Sequence, residues 1–205
     1  MVAIREDESG TNHSSMLAVF ISEILHEANV RTQELDAVAV SAGPGSYTGL
    51  RIGVATAKGI CFAASRPLIA VDSLSALAVG MMENFPQDGI LYCPTVDARR
   101  DEIYFSLLDS KFSVLLPSTN IILSSTIPFI IPEQKKILLG GTGSIKAFDK
   151  WKNSLILVDQ ATKHSSKYLI HLAEKNFHNS NFESVSDFEP LYIKPVFITL
   201  KKDRS

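Results

Sequence analysis

The sequence is short of the residues that most metal and nucleophile chemistry needs. Cys61 and Cys93 are its only cysteines. Neither lies in a C-x-x-C, and no histidines or further cysteines cluster about them. Two buried apolar thiols in a reducing compartment are expected, with neither a disulfide nor a metal role. The histidines are equally scattered. His13 is followed by Leu17 where a zincin-type helix would need a second imidazole, and His164 and His171 are seven apart on an expected later helix. There is no G-x-S-x-G elbow and no locally spaced Cys/His pair. No run reaches the roughly 18–20 apolar residues needed to span a bilayer. The longest stretches are broken by Arg51 and Lys58, or by Pro128 and Pro132. The opening MVAIREDESG lacks the apolar core of a signal peptide. A soluble, cytoplasmic protein without membrane contact is expected. Excess charge is missing too: 20 basic residues face 22 acidic ones, for a net charge of -2. That excludes a whole-molecule basic field for nucleic acid.

What is present is an ordinary globular balance. Of 205 residues, 45% are hydrophobic, enough for one generous domain or two small lobes. Val2–Ile4 reads as the end of a strand. Thr11 to Ser14 offers caps for a helix whose Leu17, Phe20, Ile21, Ile24, Leu25 and Ala28 share one face. Met16 and Val19 fall off that stripe, so its apolar surface serves either a wide core or an interface. Ala37–Val40 reads as a strand, and Gly49–Ala64 as a helix apolar nearly all round, with Ser46 or Thr48 as cap. Small residues recur along it at Gly49, Gly53 and Ala57, and again at Ala55, Gly59 and Ala63, which lets another backbone approach. Pro67–Val71 and a helix from Leu74 to Met82, capped by Asp72 or Ser73, complete an alternating α/β half. The polar Glu83–Gly89 is the expected boundary between a first lobe, 1–85, and a second, 86–205. The second lobe holds a hairpin about Asp97–Asp101, a strand Ile137–Leu139 running into GGTGS, a short helix to Trp151, a strand Leu155–Val158, a helix opened by Ser165 or Ser166, and an extended tail, Glu189–Phe197.

Two glycine loops invite a phosphate. In SAGPGSYTGLRIG, Gly43 and Gly49 are six apart, but Leu50 and Arg51 stand where a Walker loop needs Lys-Ser, and Thr48 breaks a dinucleotide fingerprint. Backbone N–H groups at a helix start can still hold an anion. Gly43, Gly45, Ser46 and Thr48, with Gly141 and Gly143 of the second loop, form that candidate set; a tight structural turn is the competing reading. DARRDE, Asp97–Glu102, is read as a catalytic cluster, a phosphate clamp, or a solvated turn whose charges neutralise one another. The last is the simplest.

NHSSMLAVFISEIL, AVAVSAGPGSYTGLRIGVATAKGI, PLIAVDSLSALA and VDARRDEIYFSLLD occur in that order. Together they resemble the TsaB (YeaZ) family, most specifically over Asn12–Asp109. The resemblance implies an α/β, two-lobed actin-like ATPase (ASKHA) fold. It also implies a non-catalytic subunit of the machinery that makes tRNA threonylcarbamoyladenosine. Catalysis and metal would reside in the paralogous TsaD, with TsaE as ATPase. The first two long helices would form the surface for TsaD, or for a second copy in isolation. Met16, Val19 and Phe20 from one, with Gly49, Ile52, Gly53, Ala57 and Ile60 from the other, are the implied contacts. The chain itself would bind no cofactor and no metal. ATP or ADP would sit only at the joint with TsaD, and tRNA would be met only through the complex. A glycoprotease-like metallopeptidase and an autonomous ASKHA-type ATPase are the alternatives. One departure stands out: the family's first strand and hairpin have no counterpart here, so that either the numbering starts at an internal methionine or another segment or chain is expected to fill the gap in the first-lobe sheet.

Overall fold

A computed structural model describes residues 1–7, 13–129 and 135–194. The expected caps Thr11 and Asn12, and the tail from Pro195 to Phe197, lie outside these. The chain runs α1 (His13–Ala28), β1 (Val38–Gly43), α2 (Tyr47–Ala64), β2 (Leu68–Asp72), α3 (Ser73–Asn84), β3 (Leu91–Asp97), β4 (Glu102–Asp109), β5 (Val114–Ile122), β6 (Ile137–Gly140), α4 (Ser144–Trp151), β7 (Ile156–Asp159) and α5 (Ile170–His178). Two sheets result. β1 and β2 form a parallel pair, and the second sheet has the order β5-β4-β3-β6-β7.

The first sheet is built by right-sized helices. Ser46 Oγ accepts from Gly49 N at the start of α2, satisfying one of the free N–H groups of its first turn. Val54, Ala57, Cys61 and Ala64 are buried at three- and four-residue spacing, and the first three make, with Val40 and Leu68, the core between α2 and the strands. The helix stops at Ser65, whose φ of 53° is left-handed. Asp72 Oδ1 caps α3 by accepting from Ser75 N at 2.7 Å. α3 is covered on almost every side, with Leu74, Leu77, Ala78 and Met81 fully buried. Each such Leu or Met side chain contributes about 1.5–3 kcal/mol. Its Leu77 and Met81 pack on Tyr92 and Leu138 of the second sheet, so α3 joins the two layers.

In the second sheet β3 and β4 pair as an antiparallel hairpin, Thr95 opposite Phe105. β6 joins β3 in parallel, and β7 joins β6 in parallel after the crossover through α4. Trp151 of α4 is buried with Phe105, Leu139 and Ile156. The chain then returns to the first sheet. Glu183 N donates to Leu68 O, and Leu191 N donates to Ala42 O at 2.8 Å.

Two expectations fail in the structure, and one strand has no expected counterpart. Val2–Ile4 is not a strand; Arg5 instead pairs with Glu23 and Glu27 of α1, an exposed tie on the helix surface. β5 was absent from the expected elements, because Pro117 interrupts it and most of its side chains are not buried. His164 lies outside α5, so it shares no helix face with His171. Among the described residues, the first-lobe sheet has two strands only.

Candidate interaction surfaces

α1 is exceptional among the long helices: none of residues 16–28 is fully buried. Met16 and Phe20 are half-buried, and Val19 is 44% exposed. Its neighbour α2 turns one stripe to β1 and the opposite one outward. Ala55, Gly59, Phe62 and Ala63 are exposed, Phe62 at 82%. A Cβ built on Gly59 would meet nothing within 4 Å. Gly49, Ile52, Gly53 and Ile60 occupy the half-buried flank, where Gly53 faces Val40. Ala57 has only 5% of its surface exposed and belongs to the core. The outward small residues are those of the second stripe, Ala55, Gly59 and Ala63.

The two glycine loops are packed by the chain itself. Gly43 has φ 112°, and a Cβ there would stand 2.9 Å from the Leu191 carbonyl oxygen. Tyr192 lies over Tyr47 with ring centroids 5.4 Å apart, and Arg51 covers the Tyr47 ring at 4.8 Å. Lys58 Nζ donates to the Ser186 and Phe188 carbonyls at 3.1 and 3.0 Å. The C-terminal segment thus straps Gly43–Tyr47, beside Gly45, Ser46 and Thr48. In the second loop a Cβ on Gly141 would be 2.2 Å from the Thr95 carbonyl oxygen. Gly143 faces Ile103 and Thr95 less tightly, a Cβ there standing 3.0 Å from Ile103 Cγ2 and 3.1 Å from Thr95 Oγ1. Thr95 Oγ1 donates to Gly140 O, and Ser144 Oγ donates to Gly141 O, both at 2.7 Å. Close backbone approach to β3 is what these glycines permit.

The β3–β4 turn is not self-neutralised. Lys146 Nζ meets Asp97 Oδ1 at 2.6 Å, Lys150 Nζ lies 3.7 Å from Asp101 Oδ1, and Lys194 pairs with Glu102. All three lysines come from other elements. Arg99 and Arg100 are exposed, and among the described residues neither guanidinium has a salt bridge. Both have positive φ, 66° and 48°, a region that costs a non-glycine residue about 1–2 kcal/mol. The sequence signal was the six-residue charge cluster itself; the lysine partners were invisible in it.

Among the described residues, no three His, Cys, Asp or Glu side chains are grouped to hold a metal ion, and no helix is long and apolar enough to cross a membrane. Cys61 and Cys93 are buried and unpaired with one another; burial pushes both thiols up.

Residues 7–125 match the family model of TsaD, tRNA N6-adenosine threonylcarbamoyltransferase. The Buchnera aphidicola tRNA threonylcarbamoyladenosine biosynthesis protein TsaB is 30% identical over 196 residues, 92% of this chain and 86% of that protein. The chain belongs to the TsaB (YeaZ) family. The TsaB protein of Haemophilus influenzae is 25% identical over 89% of this chain and 80% of its own length. YeaZ from Pseudomonas aeruginosa superposes with a TM-score of 0.75 at 21% identity, covering 88% of this chain and 85% of that one. The fold of this TsaB-family chain is therefore the actin-like ATPase type, and its family serves tRNA threonylcarbamoyladenosine biosynthesis. A threonylcarbamoyltransferase from Erythrobacter litoralis is 42% identical over 67 residues, a third of this chain and a fifth of that enzyme. Its identity to that enzyme is confined to this stretch.

Proposed function

We propose that this chain is a non-catalytic subunit that activates TsaD by helix-to-helix docking through α1 and α2. The observation that carries the reading is the outward stripe of α2. Ala55, open Gly59 and Ala63 lie beside the exposed Phe62, next to a helix with no buried residue in 16–28. Small residues let a second helix approach closely, and large apolar ones drive the contact. A face of this kind suits a standard interface of about 800 Å² per partner. In the absence of TsaD the same face pairs two copies of the chain. TsaE is a further partner of the complex, in the cytoplasm. ATP or ADP, where used, sits at the joint rather than in the glycine loops, whose close approaches are taken up by Leu191 and Thr95.

A metallopeptidase reading finds no grouped donor set among the described residues. A solved Pseudomonas aeruginosa neighbour is described as similar to peptidase YEAZ, but at 20% identity it speaks for the fold alone.

Gly59→Glu tests the docking. The new side chain has open space, so the chain folds and its Tm does not fall. Co-purification with TsaD is lost, because a charge would be desolvated between two helices. Undiminished co-purification would remove α2 as the docking face.

A further inference from the structure

The β3–β4 turn carries a surplus of positive charge that no function assigned so far employs. Three carboxylates, Asp97, Asp101 and Glu102, are each matched by a lysine from elsewhere. Lys146 is anchored further, donating to the carbonyls of Arg100 at 2.6 Å and Glu102 at 3.2 Å. Asp97 is held as well, its Oδ1 accepting from Arg99 N at 2.7 Å. Asp97 and Glu102 are therefore tied into the turn, while Asp101 faces Lys150 at the surface. Arg99 and Arg100 are left at its tip, exposed and without a salt bridge among the described residues. Both hold left-handed φ values, where glycine or asparagine is the unstrained choice. Both are strained and exposed, and beyond the weak pull of Arg100 on the Glu102 carboxylate neither guanidinium has an ionic role in the fold among the described residues. Departures of this kind from local preference concentrate at functional sites.

We propose that Arg99 and Arg100 form a rigid cationic tip that contacts the phosphate backbone of RNA. Guanidinium donors form a planar fork that matches phosphate oxygens and keeps its charge at every relevant pH. The lysine-pinned turn fixes the backbone from which both side chains project, so the turn itself need not be ordered on binding. RNA is favoured over an acidic protein surface because the family's product is a modified tRNA, so a phosphodiester is already at hand. The tip departs from the expectation that tRNA is met only through the complex, and it does not depend on the α1–α2 docking. Contacts to phosphate position a nucleic acid without reading its sequence.

The test uses the full chain alone, with a fluorescently labelled unmodified tRNA transcript, at about 30 mM salt, where screening is weak. Wild type is expected to bind, and R99A/R100A to bind about ten-fold more weakly. Each lost phosphate contact should also flatten the dependence of log affinity on log salt, by about 1.5 in total for the pair. R99K/R100K keeps most of the slope. R99G/R100G removes the charge together with the strain, so weakened binding by a variant whose Tm is not reduced excludes misfolding as the cause. The proposal is overturned if wild type does not bind the transcript. Equal binding and slope in R99G/R100G would overturn it too, as would polyglutamate outcompeting the transcript for the tip.

Discussion

The Lys194 ammonium beside Glu102 holds its carboxyl below the usual carboxylate range, with Asn120 and Arg100 adding to the effect. A depressed folded value means that the contact contributes stability above the unfolded pKa of about 4.3 and loses it as pH falls through the lower folded value. An NMR titration of the Glu102 carboxyl carbon should therefore show a midpoint below that of an ordinary glutamate, and K194A should return it towards the ordinary value. A midpoint at or above about 4.3 would dissolve the pairing. At the same scale, buried Cys61 and Cys93 should be silent to thiol reagents in the folded protein and both react on unfolding. Their burial was legible in the sequence, because a cysteine with no clustered ligand or partner defaults to packing. So was the Asp72 cap, which acts over three residues. The state of Asp97–Glu102 was not legible. Local reading paired its acids with its arginines, whereas Lys146, Lys150 and Lys194 reach it only once the chain has folded.

Helix α2 shows how far periodicity goes. Its two small-residue stripes, one through Gly53 and Ala57 and one through Ala55, Gly59 and Ala63, are equally visible in the sequence. A helix apolar nearly all round does not say which stripe faces the core. β1 and Leu68 decide it by covering Ala57. Ala57→Glu should then cost about 3 kcal/mol or more by placing a charge in packed surroundings. Gly59→Glu should gain about 0.5–1 kcal/mol of helix propensity. Thermal melts of the two variants separate core from surface: both falling equally would contradict the orientation of α2. Strands were read less well than helices for a related reason. Buried β6, with all four residues inside, announces itself as an apolar run. The edge strand β5 is interrupted by Pro117 and shows no clean alternation of buried and exposed positions. Val2–Ile4 has strand composition but pairs with no strand among the described residues, and composition alone does not make a ladder.

Over the whole molecule the two sheets are unequally supported. The larger has five strands and a core holding Phe105, Leu139 and Trp151. The smaller has two parallel strands, among the described residues, and depends on α2, α3, α5 and the returning Glu183–Leu191 segment for cover. Two-stranded sheets are marginal on their own, so the first sheet should open at lower denaturant than the second. Trp151 is the only tryptophan and lies wholly in the second core, so its emission reports that core alone. Far-UV circular dichroism senses both. In a urea titration the dichroism should begin to fall before the tryptophan emission shifts, a separation that a single all-or-none unfolding cannot give. A partner docked on α1 and α2 stabilises the folded first sheet by mass action, so adding TsaD should move the early transition towards the late one. Coincident transitions in the chain alone would show that α3, packed on both sheets, couples them into one cooperative unit. The lobes would then share one stability, and docking would raise the tryptophan midpoint as much as the dichroism.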